Sequence, residues 1–137
     1  MNVALIRSSF EALKPHANTL VDRFYSILFQ RYPQVKPMFA HTDLPRQKHM
    51  LIQALVLLVT NLEKPDVLKS TLGAMGARHT GYGARDAHYD AVGECLLAAM
   101  AEVAGPLWSD ELAAEWGETY GAVASLMKQG AAAAVAV

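Results

Sequence analysis

The chain has little from which most catalytic devices are built. Its 137 residues include one cysteine, Cys95, so an internal disulfide is impossible and a lone thiol fits a reducing compartment. Charge is sparse and balanced, with 12 basic against 13 acidic side chains and a net charge of −1. With no basic field to hold phosphates, nucleic acid is not an expected partner. The most apolar segment, residues 50–59, falls short of the ~20 residues a bilayer span takes, so no membrane partner is expected. The start, MNVALIRSSF, has neither the long apolar run nor the small-residue cleavage site of a signal peptide, and the expected location is cytoplasmic. There is no Gly-rich phosphate loop, His-x-x-x-His pair, Cys-x-x-Cys or nucleophile elbow.

What is present is apolar surface. Hydrophobic residues make up 53%, enough to exclude bulk disorder and to bury the core of one domain. Val3, Ile6, Phe10 and Leu13 predict a first helix that stops near Lys14-Pro15. From His16 to Arg31, Leu20, Phe24, Ile27 and Leu28 share a face with Val21, Tyr25 and Phe29 beside them, which puts Tyr25 on the buried side. Pro33 and Pro37 bracket a short helical turn ending at Met38-Phe39, and Asp43 is a candidate cap for the next helix. That helix, Arg46 to Leu62, is apolar on nearly every side and predicts burial on more than one face. After a helix from Pro65 to about Gly81, Asp86 can cap a long one with the stripe Tyr89, Val92, Leu96, Met100 and Val103. Gly105-Pro106 breaks it. Ser109 caps the last helix, where Leu112, Trp116, Tyr120, Val123 and Met127 face inward. No stretch reads as a strand, so the fold class is all-α: six longer helices and a short one near Pro33. The domain is expected over residues 1–130, with a disordered Ala/Val tail over residues 131–137.

The segment PDVLKSTLGAMGARHTGYG carries the most pointed chemistry. Leu68, Leu72, Met75, Gly76 and His79 recur on one helical face, so His79 ends an apolar stripe. Gly73 and Gly76 each cost such a helix about 1 kcal/mol relative to alanine, which suits a backbone lying against something flat. Taken alone, His79 reads better as a hydrogen-bonded core histidine. His16 and His41 read as solvent-exposed, and His49 and His88 as surface or rim residues. A single histidine cannot make a four-ligand structural zinc site. It can hold haem iron, because the porphyrin supplies the four equatorial bonds and leaves one axial position open. Tyr25 and Gln47, polar on apolar faces, are candidates to surround that position, although a buried tyrosine ordinarily finds a carbonyl and Gln47 could cap its own helix.

The runs FYSILFQRYPQVKPMF, RHTGYG, AHYDAVGECLL and LAAEWGETYGAVA, in that order and spacing, resemble the single-domain bacterial haemoglobins. The chain is similar over residues 3–128 to the globin half of flavohaemoglobins and to the Hell's Gate type of bacterial globin. The resemblance implies the globin fold, a three-over-three helical sandwich enclosing haem b (iron protoporphyrin IX). By position it implies His79 as proximal iron ligand, Phe39 as the phenylalanine stacked on the haem, and Tyr25 and Gln47 as the distal pair. It also implies Leu51 as the apolar residue over the iron and Tyr89 as the tyrosine near the proximal histidine. Met75 is expected against the cofactor, and Arg78 either at a propionate or in solvent. O₂ bound in such a pocket takes on negative charge, which O–H and N–H donors stabilise strongly where water is excluded.

One departure stands out. Flavohaemoglobins place a glutamate late in the last helix against the proximal histidine, where this chain reads Gly130-Ala131-Ala132. Without that carboxylate the push toward O–O chemistry is weakened. The chain is also expected to lack a flavin or nicotinamide domain. The implied function is reversible O₂ binding, with NO and CO as further ligands, in oxygen transport or storage. The alternatives are nitric oxide dioxygenation with a separate NAD(P)H-dependent reductase, or gas sensing through a partner. A monomer or weak homodimer is expected.

Overall fold

The computed structural model describes residues 2–81 and 86–136, with the side chains of residues 79–81, 86 and 131–136 outside that description. Asn2 caps the first helix, α1 (Val3–Leu13), accepting the Leu5 N–H at 3.1 Å. A 3-10 turn at Lys14–His16 contains Pro15 and leads into α2 (Ala17–Arg31). Pro33 and Pro37 hold the next segment, Pro33–Phe39, in 3-10 turns, since a proline inside a helix removes a donor and clashes with the turn before it. The Asp43 carboxylate accepts the Arg46 N–H at 3.2 Å and starts α3 (Leu44–Thr60). Pro65 opens α4 (Pro65–Gly81), where its missing N–H removes no helical bond. The next helix, α5 (Asp86–Ala104), ends at Gly105, whose φ of +56° suits glycine alone. Ser109 Oγ then accepts the Leu112 N–H at 3.1 Å to begin α6 (Asp110–Ala136).

These helices form an all-α, three-over-three sandwich. α2, α5 and α6 make one layer, with α2 on α5 and α5 on α6. α1 crosses α5 and α6 from the other layer, where α3 packs beside it, and α4 packs on α6. The main core joins α1 to α6 through Trp116, 2% exposed, whose Nε1–H donates to Ser9 Oγ at 2.9 Å. The Phe10 ring lies 6.5 Å from the Trp116 ring, and Ile6, Leu20, Cys95 and Met100 fill the space between. No described helix is long and apolar enough to cross a membrane.

The helix of α6 runs through Ala136; alanine has the highest helix propensity of all residues and carries the backbone past Gly130. One expectation is corrected. α3 is not buried on several faces. Leu55, Leu58 and Val59 are buried, but Met50 is 49% and Leu57 38% exposed. Its first turns, with Leu51 half-buried, are packed only along one side.

Because Trp116 combines buried volume with a hydrogen bond, Trp116→Phe should cost about 1–3 kcal/mol. Glu63→Ala, which severs the exposed 3.0 Å pair to Arg7, should cost less than about 1 kcal/mol. Urea unfolding midpoints compare the two, and equal losses would contradict the assignment of the core.

Candidate functional site

The periodicity of α2 places Tyr25 and Phe29 one turn apart on its inner side. Tyr25 is 4% exposed. Its ring meets Phe24 edge-on at 4.8 Å, Phe39 edge-on at 5.8 Å and Phe29 at 5.9 Å. Phe29 and Phe39 close the triangle at 5.4 Å. Phe39 reaches this position because the two prolines turn the Pro33–Phe39 segment back beneath α2. Gln47, one turn into α3 and half-buried, hydrogen-bonds the Tyr25 side chain.

Burial pushes the Tyr25 phenol above its usual pKa, and the Gln47 hydrogen bond pulls it part of the way back. Leu51, one turn beyond Gln47, is half-buried against the same cluster.

A second apolar cluster lies on the α4–α6 side. Leu72, Tyr89, Ala124 and Met127 are buried in it, with Leu68, Met75 and Tyr120 packed against them. Tyr120 lays its ring across Gly93, where a Cβ would stand 2.5 Å from the ring, and its hydroxyl donates to the Tyr89 carbonyl at 2.5 Å. The Lys128 ammonium sits 5.7 Å from the Tyr89 ring centroid and 3.9 Å from the Asp90 carboxylate. The small face of α4 lies on the α6 backbone. A Cβ at Gly76 would stand 1.8 Å from the Met127 carbonyl oxygen, and one at Gly130 would stand 2.0 Å from that of Gly73.

The sequence-derived candidates thus fall into two groups. Tyr25, Gln47, Phe39 and Leu51 gather at the α2–α3 side, and Met75 and Tyr89 at the α4–α6 side. Arg78 is exposed on α4. His79 belongs to the α4 helix, but its side chain lies outside the described residues, as does Gly83. His16, His41 and His49 are exposed and His88 is half-buried. Sequence reasoning missed Phe29 as a member of the aromatic group, although the Tyr25-x-x-x-Phe29 spacing signals it. It also missed Tyr120 beside Tyr89, for which no local signal exists.

Comparison with known proteins gives a consistent family. Residues 22–127 match the Globin family model. The chain is 30% identical to a flavohemoprotein of Rhizobium meliloti, over 90% of this chain and 31% of that one. With a flavohemoprotein of Bacillus cereus the identity is 33%, over 89% of this chain and 30% of that one. The chain thus spans about a third of the length of these relatives. Among solved structures, an engineered carbene transferase described as a "putative nitric oxide dioxygenase from Rhodothermus marinus" superposes with a TM-score of 0.88 at 31% identity, covering 98% of this chain and 93% of that one. A bacterial globin from Campylobacter jejuni gives a TM-score of 0.86 at 26% identity, covering 98% and 97%.

Burial raises the pKa of Tyr120, with Asp90 and Tyr89 adding to the shift, and burial raises that of Tyr25. The unfolded chain releases these protons near pH ~10 while the folded protein still holds them, so stability falls as pH rises from there. The urea midpoint should decline from about pH 10 upward, and less steeply in Tyr120→Phe. A midpoint that rose over that window would refute the burial of these phenols.

Proposed function

The chain belongs to the globin family, and from that premise we propose that it holds haem b and reversibly binds O₂, with NO and CO as further ligands, in oxygen transport or storage in the cytoplasm. The observation that supports this reading is the separate packing of α3 and α4. α3 joins the main apolar cluster and α4 the second, α5 and α6 contribute to both, and among the described residues α3 packs chiefly on α2 while α4 packs chiefly on α6. The half-buried apolar residues of α3 and α4 fit a flat, largely apolar group between them. Haem would supply there a ferrous iron able to bind a gas, with His79 as the residue that would hold it.

This chain's residues then divide the work. His79 is the proposed iron ligand, Phe39 the ring against the macrocycle, and Leu51, Met75 and Tyr89 apolar lining. Arg78, exposed on α4, is the proposed partner of a propionate. The Tyr25 hydroxyl, hydrogen-bonded to Gln47, presents its proton to a gas ligand that carries partial negative charge. Burial favours this role twice. It keeps the phenol protonated at neutral pH and strengthens each hydrogen bond by excluding water. CO carries less charge than O₂, so the pair discriminates in favour of O₂.

A second reading, nitric oxide dioxygenation, is supported by the flavohemoprotein relatives and by the description of the Rhodothermus marinus protein. In it NO and O₂ combine to nitrate with uptake of one electron, which an NAD(P)H-dependent reductase supplies. Nitrate formation with such a reductase, far faster than autoxidation, would establish turnover. Stoichiometric O₂ binding without it would leave transport or storage.

The first test is the visible spectrum of the dithionite-reduced protein, then exposed to CO and to air. A Soret band that moves with CO and a persistent oxy spectrum are expected, and the absence of a band after haem addition would overturn the proposal. His79→Ala should abolish stable haem retention. Tyr25→Phe should raise the O₂ dissociation rate about tenfold or more, the equivalent of ~1.4 kcal/mol for one hydrogen bond; an unchanged rate would remove Tyr25 from contact with the ligand.

A further inference from the structure

Among the described glycines, the two that lie tightest against another helix's backbone, Gly76 and Gly130, are residues that the gas-binding reading leaves without a role. Gly76, on α4 one turn before His79, is set so that a Cβ would lie 1.8 Å from the Met127 carbonyl oxygen, 2.5 Å from its carbon and 2.8 Å from its Cα. Every one of those atoms is backbone. Gly130, one turn further along α6, closes on Gly73 in the same way, with a built Cβ 2.0 Å from its carbonyl oxygen. Here α4 and α6 touch chain to chain, the spacing at which Cα–H groups meet carbonyl oxygens.

We infer that Gly76 is a positioning residue, which by lacking a side chain seats α4 on the α6 backbone and so sets the distance at which His79 meets the cofactor iron. This rests on the proposed haem binding. The mechanics follow from which helix can yield. α6 is anchored in the main core by Leu112 and Trp116 and by its packing on α1 and α5. Among the described residues, α4 packs chiefly on α6. A methyl at position 76 must withdraw from 1.8 Å to no less than 3.0 Å from the Met127 oxygen, and the obstructing atom is not the end of a flexible side chain. α4 therefore moves, and the ligand-bearing turn moves with it.

Gly73 supplies the internal control. It lies on the same helix, one turn earlier, yet a Cβ there meets only the Gly130 Cα at 3.8 Å, an ordinary contact. Both substitutions to alanine raise helix propensity, but only that at Gly76 disturbs the seat.

The experiment compares the full-length wild type, Gly73→Ala, Gly76→Ala and Gly130→Ala, each loaded with haem. Resonance Raman reads the iron–histidine stretch of the reduced, gas-free form, and transfer to excess apomyoglobin reads haem loss. Gly76→Ala should keep its helical circular dichroism, shift or split the iron–histidine band, and lose haem roughly tenfold faster. Gly73→Ala should match the wild type. A Gly76→Ala protein with a lower melting temperature but an unchanged band and loss rate would overturn the inference, because packing alone explains that result. So would equal shifts in Gly73→Ala and Gly76→Ala. If Gly76→Ala fails to fold, Gly130→Ala disturbs the same seat from the α6 side, and a wild-type band there sinks the proposal. A wild type that takes up no haem refutes the gas-binding reading itself, and this inference with it; variants alike on a haem-loaded wild type refute the inference alone.

Discussion

The contact of α4 with α6 through bare backbone is the constraint on which the remaining arrangement turns. Helices that meet through large side chains stand 8–10 Å apart, whereas glycine at the crossing brings them closer. Gly76 and Gly130 seat α4 directly on the α6 backbone. The same economy of side chains occurs at Gly93, whose bare face receives the Tyr120 ring. Glycines that look like weak points of a helix are here the positions where the layers are joined.

The two halves of the site differ in what holds them. On the α2–α3 side, aromatic edges and faces fix Tyr25, and one polar side chain, Gln47, reaches its oxygen. On the α4–α6 side, Tyr120 pins the start of α5 through the Tyr89 carbonyl, and Lys128 covers the Tyr89 ring. One wall is a rigid aromatic surround for a single donor. The other is helix backbone held by neighbouring helices.

The helices were legible because each has a local origin. Asp43 and Ser109 announce caps, Pro33 and Pro37 announce tight turns, and the stripes of α2, α5 and α6 are strong. The candidate site was legible by residue type on an inward face, as for Tyr25 and Gln47. What could not be read is what depends on the approach of distant segments. Nothing local says that the α4 glycines meet Met127 and Gly130, so they read as allowance for a flat surface. Nor does composition show that the apolar α3 leaves Met50 and Leu57 in solvent; hydropathy records what a residue prefers, not what the fold lays over it.

The bond from Trp116 to Ser9 spans 107 positions of the chain and stands at the centre of the main core. During synthesis, α1 and its Ile6–Phe10 face emerge long before their cover does. At ribosomal rates of ~5–20 residues per second, roughly ten seconds separate the two. Over that interval the N-terminal helices carry apolar surface that α6 later covers, and a stall before residue 116 leaves Ser9 and Phe10 without their Trp116 partner.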